Sequence, residues 1–253
     1  MPYSMYRETD PSQVKVNVAS ANYFGDQVSQ LRQIGSRFNL IKEFKEESRI
    51  DRSVIVRDLS LKVRASDEDE AFAKTPDLWM NFRRGNTLLE FYDPKDYSRL
   101  VDTCVARKGL SKFFDINHDF ISRDARYRDD YLNPYKTQVK NMIFAPIKRA
   151  MLEGHRVEAI RMLKANGENC QISYVSQMDA WVIASKNVGL VARNVDDIAL
   201  YEGKNAMRYS FASLMARCWF TQISEFKKKD LDSLKQDFSG RTFVGEFIGH
   251  PDC

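Results

Sequence analysis

The sequence predicts an α+β fold, and three observations lead there. Short apolar runs with two-residue alternation or β-branched composition recur near 53–63, 170–175, 181–185 and 241–249, the pattern of half-buried or buried strands. One later segment, Asn205 to Phe220, instead repeats its apolar residues at steps of three and four, the period of a helix. Finally, 43% hydrophobic and 29% charged residues over 253 positions describe a chain that can bury a core, not a disordered one.

Composition also narrows the function classes. The four cysteines, Cys104, Cys170, Cys218 and Cys253, are widely spread and show no C-x-x-C spacing. This argues against a zinc site or a disulfide framework and for a reducing, intracellular setting, cytoplasm or nucleus. Three histidines leave few candidates for His-centred catalysis. No apolar run approaches a membrane span, and residues 1–8 lack the apolar core of a signal peptide. A formal net charge of +4 permits a polyanionic partner without requiring one.

Taken in order, residues 1–35 show little periodicity and read as an irregular lead-in that closes on a turn at Ile34-Gly35-Ser36. Arg37 to Phe44 fits either strand or helix. Ser53 to Val63 reads as a strand, with Leu59, Leu61 and Val63 alternating with polar neighbours. Ser66-Asp67-Glu68-Asp69-Glu70 reads as a solvated acidic connector. Leu78 to Phe91 reads as strand, Arg84-Gly85 turn and second strand, on which Arg84 is simply a hairpin cation. Lys112 precedes Phe113-Phe114, a pair expected in a core with the lysine as flanking charge. Residues 115–135, rich in Asp, Arg and Tyr, read as a long polar insertion or loop. Tyr135 to Leu152 has helical spacing interrupted by Pro146, giving one kinked helix or two short ones that end near Gly154.

The strand runs Cys170–Val175 and Trp181–Ser185 then flank a polar turn and lead towards Ala192-Arg193. On the helix at 205–220, Met207, Phe211, Leu214, Met215 and Cys218 form the stripe expected to be core. Lys227-Lys228-Lys229 reads as a solvated charge run. The last strand, Arg241 to Gly249, carries one carboxylate, Glu246, which is expected to be buried. No internal repeat or low-complexity linker is present, so the expected organisation is an N-terminal extension, 1–52, and one principal domain, 53–253.

Five short motifs stand in one order along this chain: Arg84-Gly85, Lys112-Phe113-Phe114, Lys164-Ala165-Asn166-Gly167, Ser185-Lys186-Asn187 and Val244-Gly245-Glu246-Phe247. Taken singly, each has a plain reading; Lys164 alone would be a solvated turn lysine. Together they resemble the ATP-dependent RNA ligases of the phage RNA ligase 1 type, members of the covalent nucleotidyltransferases, over about two thirds of the chain. The resemblance implies antiparallel sheets lining an ATP cleft, with helices outside. It implies that Lys164 is the nucleophile that takes AMP, and that Arg84 and Lys112 contact the ATP phosphates. Asn166 and Gly167 would belong to the nucleotide pocket. Lys186 would lie near the nucleotide phosphate or the RNA end, and Glu246 would engage the ribose or the metal shell. ATP and Mg²⁺ would be the cofactors and RNA ends, 5′-phosphate and 3′-hydroxyl, the partners.

The chain departs from the family pattern in three places. Asn166 stands where the nucleophile motif usually has aspartate, a form that is similar to the fungal tRNA ligases. The separation of Lys112 from Lys164 is long for the family and implies an insertion that includes 115–135. No carboxylate motif or K-x-K motif follows Glu246, so the domain is expected to be C-terminally incomplete. The alternatives are a non-catalytic nucleotide- or RNA-binding protein derived from such a fold, or another nucleotidyltransferase such as a capping enzyme.

Overall fold

The computed structural model describes residues 41–63, 68, 71–72, 82–112, 144–158, 160, 166–203 and 205–248. The expectations for 1–35 and 115–135, for Phe113-Phe114 and for Lys164 lie outside the described residues.

The fold is α+β, built on two four-stranded antiparallel sheets. The first sheet contains β1 (Ile41–Glu47), β2 (Val54–Leu61), β3 (Arg83–Asp93) and β4 (Asp96–Ser111) in sequential order. The expected boundary at residue 52 falls inside this sheet, because β1 pairs with β2 from Ile41↔Leu61 to Glu47↔Ile55. A short helix, α1 (Ala145–Leu152), follows, with no buried residue. Pro146 lies in its first turn, where a missing N–H costs nothing; residues 135–143 of the expected kinked helix or helix pair lie outside the described residues.

The second sheet is ordered β7-β6-β5-β8, with β5 (Glu168–Val175), β6 (Ala180–Ala184), β7 (Gly189–Ala192) and β8 (Phe243–Phe247). Between β7 and β8 the chain forms α2 (Ala206–Ser224) and α3 (Lys228–Phe238).

The second sheet is the middle layer, so β6 is buried at every position. Side chains alternate across a strand, and β6 divides accordingly. Trp181 and Ile183 face the helices, in a core with Leu190, Tyr209, Met215, Phe220 and Phe238. Ala180 and Val182 face the first sheet, in a core with Val54, Val56, Leu89, Ala106, Val175 and Val191. Aromatic rings tie the helical layer down: Trp181 lies 5.1 Å from Trp219 and 5.6 Å from Phe238, and Phe238 stacks on Phe243 of β8 at 5.2 Å. Edge-to-face and offset pairs of this kind add roughly 1 kcal/mol beyond the area they bury.

Several sequence expectations change here. Arg84-Gly85 is not a turn: β3 runs straight through it, with Gly85 at φ 97°, a conformation that glycine tolerates inside the strand. The apolar stripe of α2 is rotated from the one expected. Its buried residues are Tyr209, Ala212, Met215, Ala216, Phe220 and Ile223, while Met207 is 90% exposed. Two alanines let the helix approach the sheet closely, and a hydrophobicity stripe underweights them. Lys227, Lys228 and Lys229 are exposed as expected, at the start of a helix that the sequence reading missed.

Candidate functional site

The space between the sheets is apolar at one end and polar at the other, and the polar end begins with a bulge. Thr87 pairs with Arg107 but Leu88 with Val105, which leaves Ala106 as the extra residue. Cys104 and Ala106 both pack towards the second sheet. Simple alternation would therefore point Arg107 outwards; the bulge turns it inwards as well.

Arg107 is completely buried, and its Nε and Nη1 meet acceptors while its Nη2 makes no hydrogen bond among the described residues. Its Nε donates to Thr87 Oγ1 at 2.8 Å, and its Nη1 donates to the Ser185 carbonyl at 2.6 Å and to Gln171 Oε1 at 3.3 Å. Its Nη2 lies 3.5 Å from Asp58 Oδ1, an ion pair at long range. Burial pulls the guanidinium down to about 10, against the upward pull of Asp58, which leaves it charged at neutral pH.

Asp58, 2% exposed, is satisfied from every side. It accepts from Thr87 Oγ1 at 2.7 Å, from the Gly189 N–H at 3.1 Å and from Arg208 Nη2 at 2.8 Å. Arg208, in the first turn of α2, also lies 3.6 Å over the Phe44 ring, a cation–π contact. A buried charge set of this kind depends on its hydrogen bonds; those of Asp58 are made, whereas Arg107 Nη2 and Arg208 Nε make none among the described residues.

This network reaches outwards to two of the sequence-predicted residues. Gln171 Nε2 donates to the Arg84 carbonyl at 3.0 Å and to Asn169 Oδ1 at 2.6 Å. Arg107 holds the Ser185 carbonyl and comes within 3.4 Å of the Lys186 carbonyl. The backbones at Arg84 and Lys186 are thus fixed by the same buried pair, Arg107 and Gln171. Gly85 allows this closeness: a Cβ there would lie 2.7 Å from both Arg107 Nη1 and Gln171 Oε1.

The two side chains also meet. Arg84 Nε lies 3.2 Å from Glu68 Oε1, and Lys186 Nζ pairs with Glu68 Oε2. The Glu68 side chain is 8% exposed and each cation 31%. Glu68 itself departs from the solvated reading of 66–70, because it is buried and doubly paired; the other residues of that stretch lie outside the described residues. Phe72, four residues on, is also buried.

The other expected residues are placed as follows. Lys112 directly follows β4, whose last pair is Arg83↔Ser111, and is 8% exposed; it lies at the sheet end that carries Arg84. Glu246 is the Cα partner of Asn169, so its side chain shares a sheet face with Asn169 and Gln171. It is exposed, a correction to the expected burial, because β8 pairs with β5 alone among the described residues. Asn166 is exposed, and Gly167 runs close under the Phe247 carbonyl with no room for a Cβ. Lys164 lies outside the described residues; by sequence it is four positions before β5.

Glu68, Asp58, Arg107, Gln171 and Arg208 were not singled out from sequence. Only Glu68 left any trace, as one of an acidic run, and Arg107 depends on a bulge that single-sequence periodicity does not reveal.

Among the described residues no group of three His, Cys, Asp or Glu side chains could hold a metal, and no helix is long and apolar enough to cross a membrane. A separate cavity of about 410 Å³, lined by Lys45, Glu47, Arg52, Ile55, Tyr92 and Tyr97, opens on the opposite face of the first sheet, away from the network. The chain matches no protein-family model, no curated protein and no solved structure.

Proposed function

We propose that the chain is a covalent nucleotidyltransferase acting as an ATP-dependent RNA ligase, with Lys164 as its nucleophile. One observation carries the reading: Arg84 on β3 and Lys186 in the turn between β6 and β7, far apart in sequence, converge on one carboxylate with their backbones held. Glu246 and Asn169 lie on the neighbouring sheet face, on β8 and on the strand that follows the K-A-N-G motif. An enzyme that must hold a triphosphate needs cations placed in advance, since preorganised charge contributes most to phosphoryl transfer.

In this reading the Lys164 amine attacks the α-phosphorus of ATP. An N–P bond forms, the bond to pyrophosphate breaks, and the amine loses a proton. The attacking amine must be neutral, a form that neighbouring positive charge favours. Arg84, Lys186 and Lys112 would stabilise charge on the phosphates and on departing pyrophosphate. AMP then passes to an RNA 5′-phosphate, and the 3′-hydroxyl of a second end displaces it. Mg²⁺ when bound neutralises phosphate charge. In this reading Glu246, an exposed carboxylate on β8, would help to hold it.

The test is intact mass after incubation with ATP and Mg²⁺. Wild type should gain the mass of one AMP and Lys164→Ala should not; equal gain in both, or none in either, would overturn the reading. Incubation with GTP separates ligase from capping chemistry. A second reading, a non-catalytic binder of nucleotide or RNA, is favoured by the Glu68 pairing, which already neutralises the two cations. It expects salt-sensitive RNA binding without adenylation.

A further inference from the structure

Glu68 sits where an anionic substrate group would have to sit. Arg84 comes from the first sheet and Lys186 from the turn between β6 and β7, and each takes one oxygen of the same carboxylate. A carboxylate and a phosphate edge present similar pairs of acceptor oxygens, and guanidinium and ammonium groups bind both. The backbones that carry the two cations are held in place, Gln171 on the Arg84 carbonyl and Arg107 on the Ser185 carbonyl. The carboxylate arrives differently: Glu68 belongs to no strand of either sheet.

We propose that Glu68 is a built-in competitor for phosphate. In the free chain it fills the anion position between Arg84 and Lys186, and a phosphate group of a polyphosphate ligand binds by displacing it. The cost of displacement falls on the ligand, so only a group more highly charged than a carboxylate takes the site. The inference rests on the proposed nucleotide reading only for the identity of the natural ligand; the slot itself requires no chemistry.

Inorganic tripolyphosphate is the probe, titrated calorimetrically at fixed salt into wild type, Glu68→Gln, and Glu68→Gln combined with Arg84→Ala. Glu68→Gln should bind about tenfold tighter than wild type, and the gain should vanish in the double variant. The melting temperature of Glu68→Gln should fall meanwhile, since a buried carboxylate no longer balances two cations. A merely structural Glu68 would lower stability and affinity together, and unchanged or weaker binding by a folded Glu68→Gln overturns the proposal. Should that variant fail to fold, wild type still decides. Saturating tripolyphosphate should speed amide exchange in a peptide covering Glu68 to Phe72, and slowed or unaltered exchange counts against displacement. The outcome is separable from the ligase reading: tighter binding without Lys164 adenylation supports the slot alone, and adenylation with no gain in Glu68→Gln supports the ligase alone.

Discussion

The two ends of the inter-sheet space are lined by the same strands yet filled by opposite chemistry. β2 contributes Val54 and Val56 to one end and Asp58 to the other; β3 contributes Leu89 and then Thr87; β4 contributes Ala106 and then Arg107. From the second sheet, β5 supplies Val175 and then Gln171, and β7 supplies Val191 and then the Gly189 N–H. The apolar end holds the sheets together without direction. The polar end is directional: every hydrogen bond there fixes an angle, and two of them fix the backbones that carry Arg84 and Lys186. Cohesion and positioning are thus separated along the strands instead of being assigned to different elements.

The sharpest way to break this comparison is to empty the polar end. Arg107→Met should cost about 4 kcal/mol in urea unfolding, because Asp58 and two carbonyls lose a buried partner. It should also weaken tripolyphosphate binding by freeing the Lys186 backbone. Leu89→Ala, at the apolar end, should cost about 3 kcal/mol by leaving a cavity, with tripolyphosphate affinity unchanged in the folded fraction. If Leu89→Ala weakens binding as much as Arg107→Met, the two ends do not divide the work.

A smaller change tests how tightly the polar end is built. Gly85→Ala forces a side chain onto φ 97° and against Arg107 and Gln171. It should cost about 2 kcal/mol and lose anion affinity disproportionately, by calorimetry beside the melting curve.

The smallest effect lies outside both ends. Lys235→Ala removes the 2.6 Å bond from Lys235 to Asp179, a side chain 68% exposed, and should cost less than about 1 kcal/mol. The hydrogen bonds from Lys235 first, and from Tyr174 second, hold the Asp179 carboxyl below its ordinary range. Such a lowered group stabilises the fold above its unfolded pKa and loses that contribution as pH falls through the folded one. The difference between wild type and Lys235→Ala should therefore shrink below about pH 4, by melting temperature across an acid series.

What could be read from the sequence follows the same division. β5 and β6 were legible because apolar and β-branched residues dominate them, and burial at the middle layer demands that. β3 was misread because an arginine followed by glycine looks like a turn, whereas here glycine serves a positive φ and a close approach inside a strand. Arg84 and Lys186 were singled out and do come together. The carboxylate that joins them was misread, since a run of acids reads as solvated when no partner is visible. Arg107 was invisible because its direction is set by one extra residue in a ladder. Lys108 beside it makes the pair look like ordinary surface charge.

The pairing of β8 with β5 has a consequence for the order of assembly. Among the described residues all other neighbouring strands in both sheets are consecutive, so their contacts close shorter loops. β8 reaches β5 only after β6, β7, α2 and α3 have been made, and its contacts close the longest loop of the second sheet. Local pairings form ahead of distant ones because less chain entropy opposes them. The strand that brings Glu246 beside Asn169 therefore carries the largest loop-closure cost in the second sheet.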